Sequence, residues 1–268
     1  MQRNDLIEQL EAAFEKRRMG DYSGALREFE DLEQKSVHPK DIAPLRLFQT
    51  MCLTDLGRID EAHTRLGQVD KKVLGIIDQI DYESEYARIK RAEGMTDEAL
   101  ERVTHAIKIA EAVKDKHRVE AAMRNMQTLH GILLAEAGRC EEAIPVLETV
   151  PEEDESWAES RLLLGDCNYR TRRYHEAIDY YLSVTSSGNK VSDVIRNDAL
   201  RNTGCAYHQL KDYARAVEYL SKVKNAYDEY PAMKAELFGF LASAYTHLGM
   251  PQEAAKYSGF SKCSDSIQ

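Results

Sequence analysis

With 268 residues, 36 basic and 46 acidic side chains and a net charge of −10, the chain is long enough to bury its own core. It lacks the basic excess that phosphate neutralisation demands, so nucleic acid and membrane insertion are not expected. Five widely spaced cysteines with no C-x-x-C pair, only six prolines and no apolar run near the roughly 20 residues that span a bilayer predict a helix-rich, cytoplasmic, reduced protein without metal or cofactor.

Taken in chain order, the elements repeat. A first amphipathic stretch ends at Gly20-Asp21-Tyr22-Ser23-Gly24-Ala25, and a second at Gly57-Arg58-Ile59-Asp60-Glu61-Ala62. The third turn is Gly94-Met95-Thr96-Asp97-Glu98-Ala99, followed by a long helix predicted to Ala112, and another long helix runs from Arg118 to Ala137. The fourth turn is Gly138-Arg139-Cys140-Glu141-Glu142-Ala143, and Pro151 marks a break. The acidic run Glu152 to Glu155 reads as decoration of a helix N-terminus, with Ser156-x-x-Glu159 as a capping box. Two further copies replace the glycine: Arg172-Arg173-Tyr174-His175-Glu176-Ala177 and Lys211-Asp212-Tyr213-Ala214-Arg215-Ala216. The last is Gly249-Met250-Pro251-Gln252-Glu253-Ala254, beyond which the tail from Ser258 to Gln268 is expected to fray.

The seven alanines that close these segments are 37, 37, 44, 34, 39 and 38 residues apart. Glycine accepts the left-handed conformation that ends one helix, an acidic first turn complements the dipole of the next, and a small alanine lets the two helices approach. The pattern resembles the tetratricopeptide repeat, W-x2-L-G-x2-Y then A-x3-F then P over 34 residues. Arg161-x2-Leu164-Gly165-x2-Asn168 with Ala177-x3-Tyr181 keeps Leu, Gly, Ala and an aromatic. Thr203-Gly204-x2-Tyr207 with Ala216, and Phe238-x2-Leu241-Ala242-x2-Tyr245 with Ala254, keep other parts of it. The resemblance covers the whole chain and implies an all-α, right-handed α-solenoid of about seven helix-turn-helix repeats in a single superhelical domain, 1–268. The repeats fall at 6–39, 43–77, 80–116, 118–155, 156–190, 197–231 and 235–262.

Such a family holds extended peptides or helices along the concave groove of its first helices. Carried onto this sequence, the apolar part of the groove is Phe14, Phe48 and Met51, joined by Leu10, Leu47, Leu129 and Ile132. Its polar part is Arg88, Tyr169, Arg170, Arg201, Asn202 and His208. One subclass grips a partner's C-terminal carboxylate with a Lys and Asn clamp. The matching places here hold Leu162, Asp166, Asn202, Glu236 and Phe240, and only Asn202 fits.

No phosphate loop, H-E-x-x-H or G-x-S-x-G motif occurs, and 46 acidic residues on helix surfaces are solvated faces by default. No catalytic residue is therefore assigned. The expected function is a non-enzymatic scaffold or adaptor for a partner protein or peptide. The alternatives are a ligand-sensing regulator that closes around a small peptide, and a self-associating assembly factor.

Overall fold

The computed structural model describes residues 3–187 and 191–258, with side chains from residue 7 onward. Among them the regular structure is fourteen α-helices and two 3-10 turns, with no strand. The chain divides into two units, Met1–Leu133 and Leu134–Gln268. In the first, α1 (Arg3–Arg18) pairs with α2 (Tyr22–Lys35), α3 (Pro39–Asp55) with α4 (Ile59–Leu66), and α5 (Ile76–Ala92) with α6 (Thr96–Ala112). The boundary falls within α7 (Glu120–Glu136), which is followed by α8 (Cys140–Leu147). In the second unit α9 (Trp157–Arg170) pairs with α10 (Tyr174–Ser186), α11 (Asp193–Gln209) with α12 (Tyr213–Lys222), and α13 (Pro231–His247) with α14 (Pro251–Ser258).

Every first helix ends in the same way. At the second turn, Gly57 N donates to Thr54 O and Arg58 N to Leu53 O, the two bonds of a Schellman motif, with Gly57 at φ +71°. The same pair of bonds recurs at the other six turns. Five have glycine at the left-handed position; Arg172 and Lys211, each at φ +62°, hold it in the two turns where the sequence substitutes the glycine. The backbone geometry of the repeat thus persists where its usual residue is absent.

Behind each turn the expected alanine is buried. Ala25, Ala62, Ala99, Ala143, Ala177 and Ala216 have no exposed surface, and Ala254 is 8% exposed. In unit 2 the approach is closest at two first-helix glycines. A Cβ on Gly165 would lie 2.2 Å from Tyr181 Cε1, and one on Gly204 2.6 Å from Leu220 Cγ. Unit 1 packs Phe29, Leu32, Leu47, Leu66 and Ile89 into one core, while unit 2 has cores around Tyr181 and around Leu220 and Leu241.

The long spacing between Ala99 and Ala143 comes from the 17-residue α6 and the 3-10 turn Lys116–Arg118 ahead of α7. The capping box expected at Ser156 is not formed. Ser156 has helical backbone (φ −84°, ψ −1°), which turns its hydroxyl away from the free amides of α9. Asp154 closes the turn instead, its Oδ1 accepting from Ser156 N at 2.8 Å. Trp157, the single tryptophan, is half-buried at the start of α9 with the Arg161 guanidinium 5.7 Å from its ring, and the same guanidinium lies 5.8 Å from the Tyr180 ring. Described cysteines Cys52, Cys140, Cys167 and Cys205 are buried thiols. The tail after Ser258 lies outside the described residues. No helix among the described residues is long and apolar enough to cross a membrane.

Candidate partner-binding faces

The sequence-predicted groove residues all lie on first helices, and each unit builds its own face from them. In unit 1, Phe14 on α1 and Phe48 on α3 sit edge-on at 4.8 Å and both contact Phe29 of α2, at 5.3 and 5.5 Å. With Leu10 and Met51 they are half-buried against the core. Leu47 is fully buried, and in α7 Leu129 and Ile132 are buried as well, so these three do not present surface to a partner.

Past the phenylalanines the face is ionic. Asp55, at the end of α3, accepts from Arg17 of α1 (Nε to Oδ2, 2.9 Å) and from Arg88 of α5 (Nη2 to Oδ1, 2.7 Å). Arg88 also donates to Glu85 Oε2 at 3.0 Å, and the Glu85 and Asp55 carboxylates raise its pKa further. Arg88 is therefore placed on the predicted face but engaged there by two carboxylates of its own chain. One turn before Glu85, burial pushes the Asp81 carboxyl up to about 6, reinforced by the charges of Asp78 and Glu85 and opposed by Arg17.

In unit 2 the polar row is linked helix to helix. Asp166 of α9 accepts at Oδ1 from the Tyr181 hydroxyl (2.7 Å) and from Asn202 Nδ2 of α11 (2.9 Å). Burial raises the Asp166 pKa while these donors and the nearby Arg170 and Arg201 charges hold it back. Arg201 Nε donates to Asn202 Oδ1 at 3.2 Å and its guanidinium lies 5.4 Å from the ring of Tyr227, whose hydroxyl donates to Asp198 at 2.8 Å. Tyr169 is half-buried between the two cores of the unit, its ring edge-on to Tyr174 at 5.3 Å. Arg170 is exposed and donates to Ala135 O at 3.1 Å, a second bond to a carbonyl that already accepts from Gly138 N.

His208 Nε2 is 2.9 Å from Ser243 Oγ of α13. Its ring is edge-on to Tyr213 and Phe240 at 5.3 and 5.2 Å, and Tyr213 stacks on His247 at 4.3 Å. Burial, and then the charge of His247, lower the His208 pKa. Five of the predicted polar residues thus lie on two successive first helices of unit 2, α9 and α11.

Sequence reasoning missed the partners of these residues: Arg17, Asp55, Glu85, Asp166 and Ser243. A signal for them exists in the spacing. Asp55 and Arg88 are 33 residues apart, Asp166 and Asn202 36, and His208 and Ser243 35, which is one repeat in each case. Complementary side chains one repeat apart on first helices meet across the stack. Among the described residues no group of three or more His, Cys, Asp or Glu side chains is arranged to hold a metal ion.

Two sequence models described as tetratricopeptide repeat match residues 128–190 and 198–230. Among similar solved structures, a signal-transduction ATPase with numerous domains and a tetratricopeptide repeat sensor, from Pyrococcus horikoshii, is 14% identical over 95% of this chain at a TM-score of 0.66. The chain spans 41% of that protein's length. NprR in complex with its cognate peptide NprX is 16% identical, TM-score 0.68, with 94% of this chain and 76% of that one covered. A Rap protein complexed with competence and sporulation factor is 11% identical, TM-score 0.68, with 95% and 74% covered. No curated protein matches the chain.

Proposed function

This chain is a tetratricopeptide repeat protein, and on that footing we propose that it is a non-enzymatic scaffold which holds a partner protein or peptide on its first-helix faces. The observation that carries the proposal is the strip Tyr169, Arg201, Asn202 and His208 in unit 2. These side chains are half-buried, and Asp166, Tyr227 and Ser243 fix Asn202, Arg201 and His208 respectively. Side chains held in place before a partner arrives lose little rotamer entropy on binding, which favours affinity. Aromatic and arginine residues are also those that most often dominate binding energy.

Selection of a displayed peptide library on the wild-type chain, followed by titration of the winners against the double variant Tyr169→Ala and Arg201→Ala, tests this. The double variant should lose about 1–3 kcal/mol of affinity while keeping its helical circular dichroism. Winners that bind both proteins equally would move the binding site off this strip.

A second reading is favoured by the fold it shares with NprR, which was crystallised with its cognate peptide, and with a Rap protein complexed with competence and sporulation factor. In this reading the chain is a sensor that changes compactness when a small peptide binds. A fall in radius of gyration on adding a selected peptide separates it from a static scaffold.

A further inference from the structure

The ionic face of unit 1 is short of one positive charge. Two carboxylates on α5 make the comparison. Glu83, 4% exposed, is met by two cations, Lys71 Nζ at 3.3 Å and Arg102 Nη1 at 3.4 Å, with the His105 ring Nδ1 at 3.7 Å. Glu85, 2% exposed and on the opposite side of the helix, has Arg88 on Oε2 only; its Oε1 is buried with no hydrogen-bond partner. Asp81, one turn earlier on the same stripe, forms no hydrogen bond or salt bridge among the described residues. Arg17, the cation whose charge reaches it, is already committed to Asp55, and Arg88 is committed to Asp55 and Glu85. Three carboxylates, Asp55, Asp81 and Glu85, therefore share two arginines. A half-buried carboxylate without a counter-charge costs stability, and groups perturbed in this way cluster at functional sites.

We infer that Asp81, backed by the orphaned Glu85 oxygen, is a docking point for the cationic side chain of a lysine or arginine in a partner protein segment lying along α1, α3 and α5. The inference rests on the scaffold reading. Asp81 is half-buried, so its carboxylate reaches the surface, whereas Glu85 is fully enclosed and supplies field rather than contact. Unit 1 would then select a basic residue, while unit 2 presents Arg201 and Arg170 to acidic or carbonyl groups. The raised Asp81 pKa agrees with a carboxylate waiting for a cation.

Two measurements on the intact chain test this. In the absence of any partner, Asp81→Asn should raise the melting temperature by roughly 2–4 °C, because it removes an uncompensated charge. Glu101→Gln on the exposed surface of α6, which removes the same charge, should leave it unchanged. A melting temperature that stays level or falls in Asp81→Asn overturns the inference, since the carboxylate would then have a structural partner. In the second, a capped alanine pentapeptide with a central lysine is titrated to about 10 mM against the labelled protein by NMR, beside its glutamate counterpart. The lysine peptide should shift amides of α3 and α5, and Asp81→Asn should weaken this roughly tenfold or more. Equal responses to the two peptides, or none to either, overturn the inference. A selected partner that binds through Tyr169 and Arg201 while unit 1 ignores lysine would do the same and leave the scaffold reading standing.

Discussion

Arg172 and Lys211 hold a conformation that costs an L-residue about 1 kcal/mol and costs glycine nothing. Neither side chain makes a hydrogen bond or ion pair among the described residues, so nothing local offsets that cost. Arg172→Gly and Lys211→Gly should each stabilise the chain by about 1 kcal/mol, read as a higher urea midpoint at unchanged slope. A lower midpoint would mean that these turns are not left-handed. Asp81 supplies a pH signature. The charges that reach it are those of Asp78 and Glu85 on its own helix and of Arg17 from α1. Its folded pKa, about 6, lies above the unfolded carboxylate value, so the folded chain holds the proton more tightly. The stability this brings is fully present below about pH 4 and is lost as pH rises through about 6. The gap in urea midpoint between Asp81→Asn and wild type should therefore be near zero at about pH 4, widen to about pH 6 and level off above it. A gap that does not vary with pH refutes the shift. At this scale the sequence was most legible where chemistry is forced by sterics. The seven alanines are buried as read, because only a small side chain fits a close crossing. Ser156 was misread because a capping box depends on the backbone angle of its first residue, which composition does not encode.

The helix pair is the unit that the turn-alanine signature specifies, because each turn joins a first helix to a second. Less legible was how closely each pair packs. In α9 and α10 the limiting contact is Gly165 under the ring of Tyr181, which is 1% exposed and hydrogen-bonded to Asp166, so the ring has nowhere to move. Gly165→Ala should therefore overpack the pair and cost about 1–3 kcal/mol, measured by denaturant melts. Gly239 in α13 has open space around its Cβ position and serves as the control, where alanine should be tolerated. Equal effects at the two positions would show that helix propensity, not contact, decides the outcome. The links between successive first helices were invisible to a reading of one repeat at a time. Asp55 with Arg88 and Asp166 with Asn202 emerge only when residues one repeat apart are compared for complementary charge or hydrogen bonding.

For the molecule as a whole, a repeat array has stability that is close to a sum of local terms and neighbour terms, because each pair touches mainly the pairs beside it. That explains why the fold was legible with so few residues per repeat matching the family pattern. Of the candidate site, the placement on first helices was legible: five of the six polar residues lie on α9 and α11 of unit 2, while Arg88 sits in the ion network of unit 1. A binding face combines register, burial and counter-charges from several repeats, and none of these is a property of a single segment.

The position of Trp157 has an optical consequence. The chain has one tryptophan, and it stands at the start of α9 within unit 2, under the guanidinium of Arg161. Its emission is therefore a local reporter of residues beyond Leu133, silent about the first three helix pairs, while far-ultraviolet ellipticity averages over every helix. Recording both along one denaturation curve turns the distance between the two midpoints into a direct reading of how strongly the two halves unfold as one.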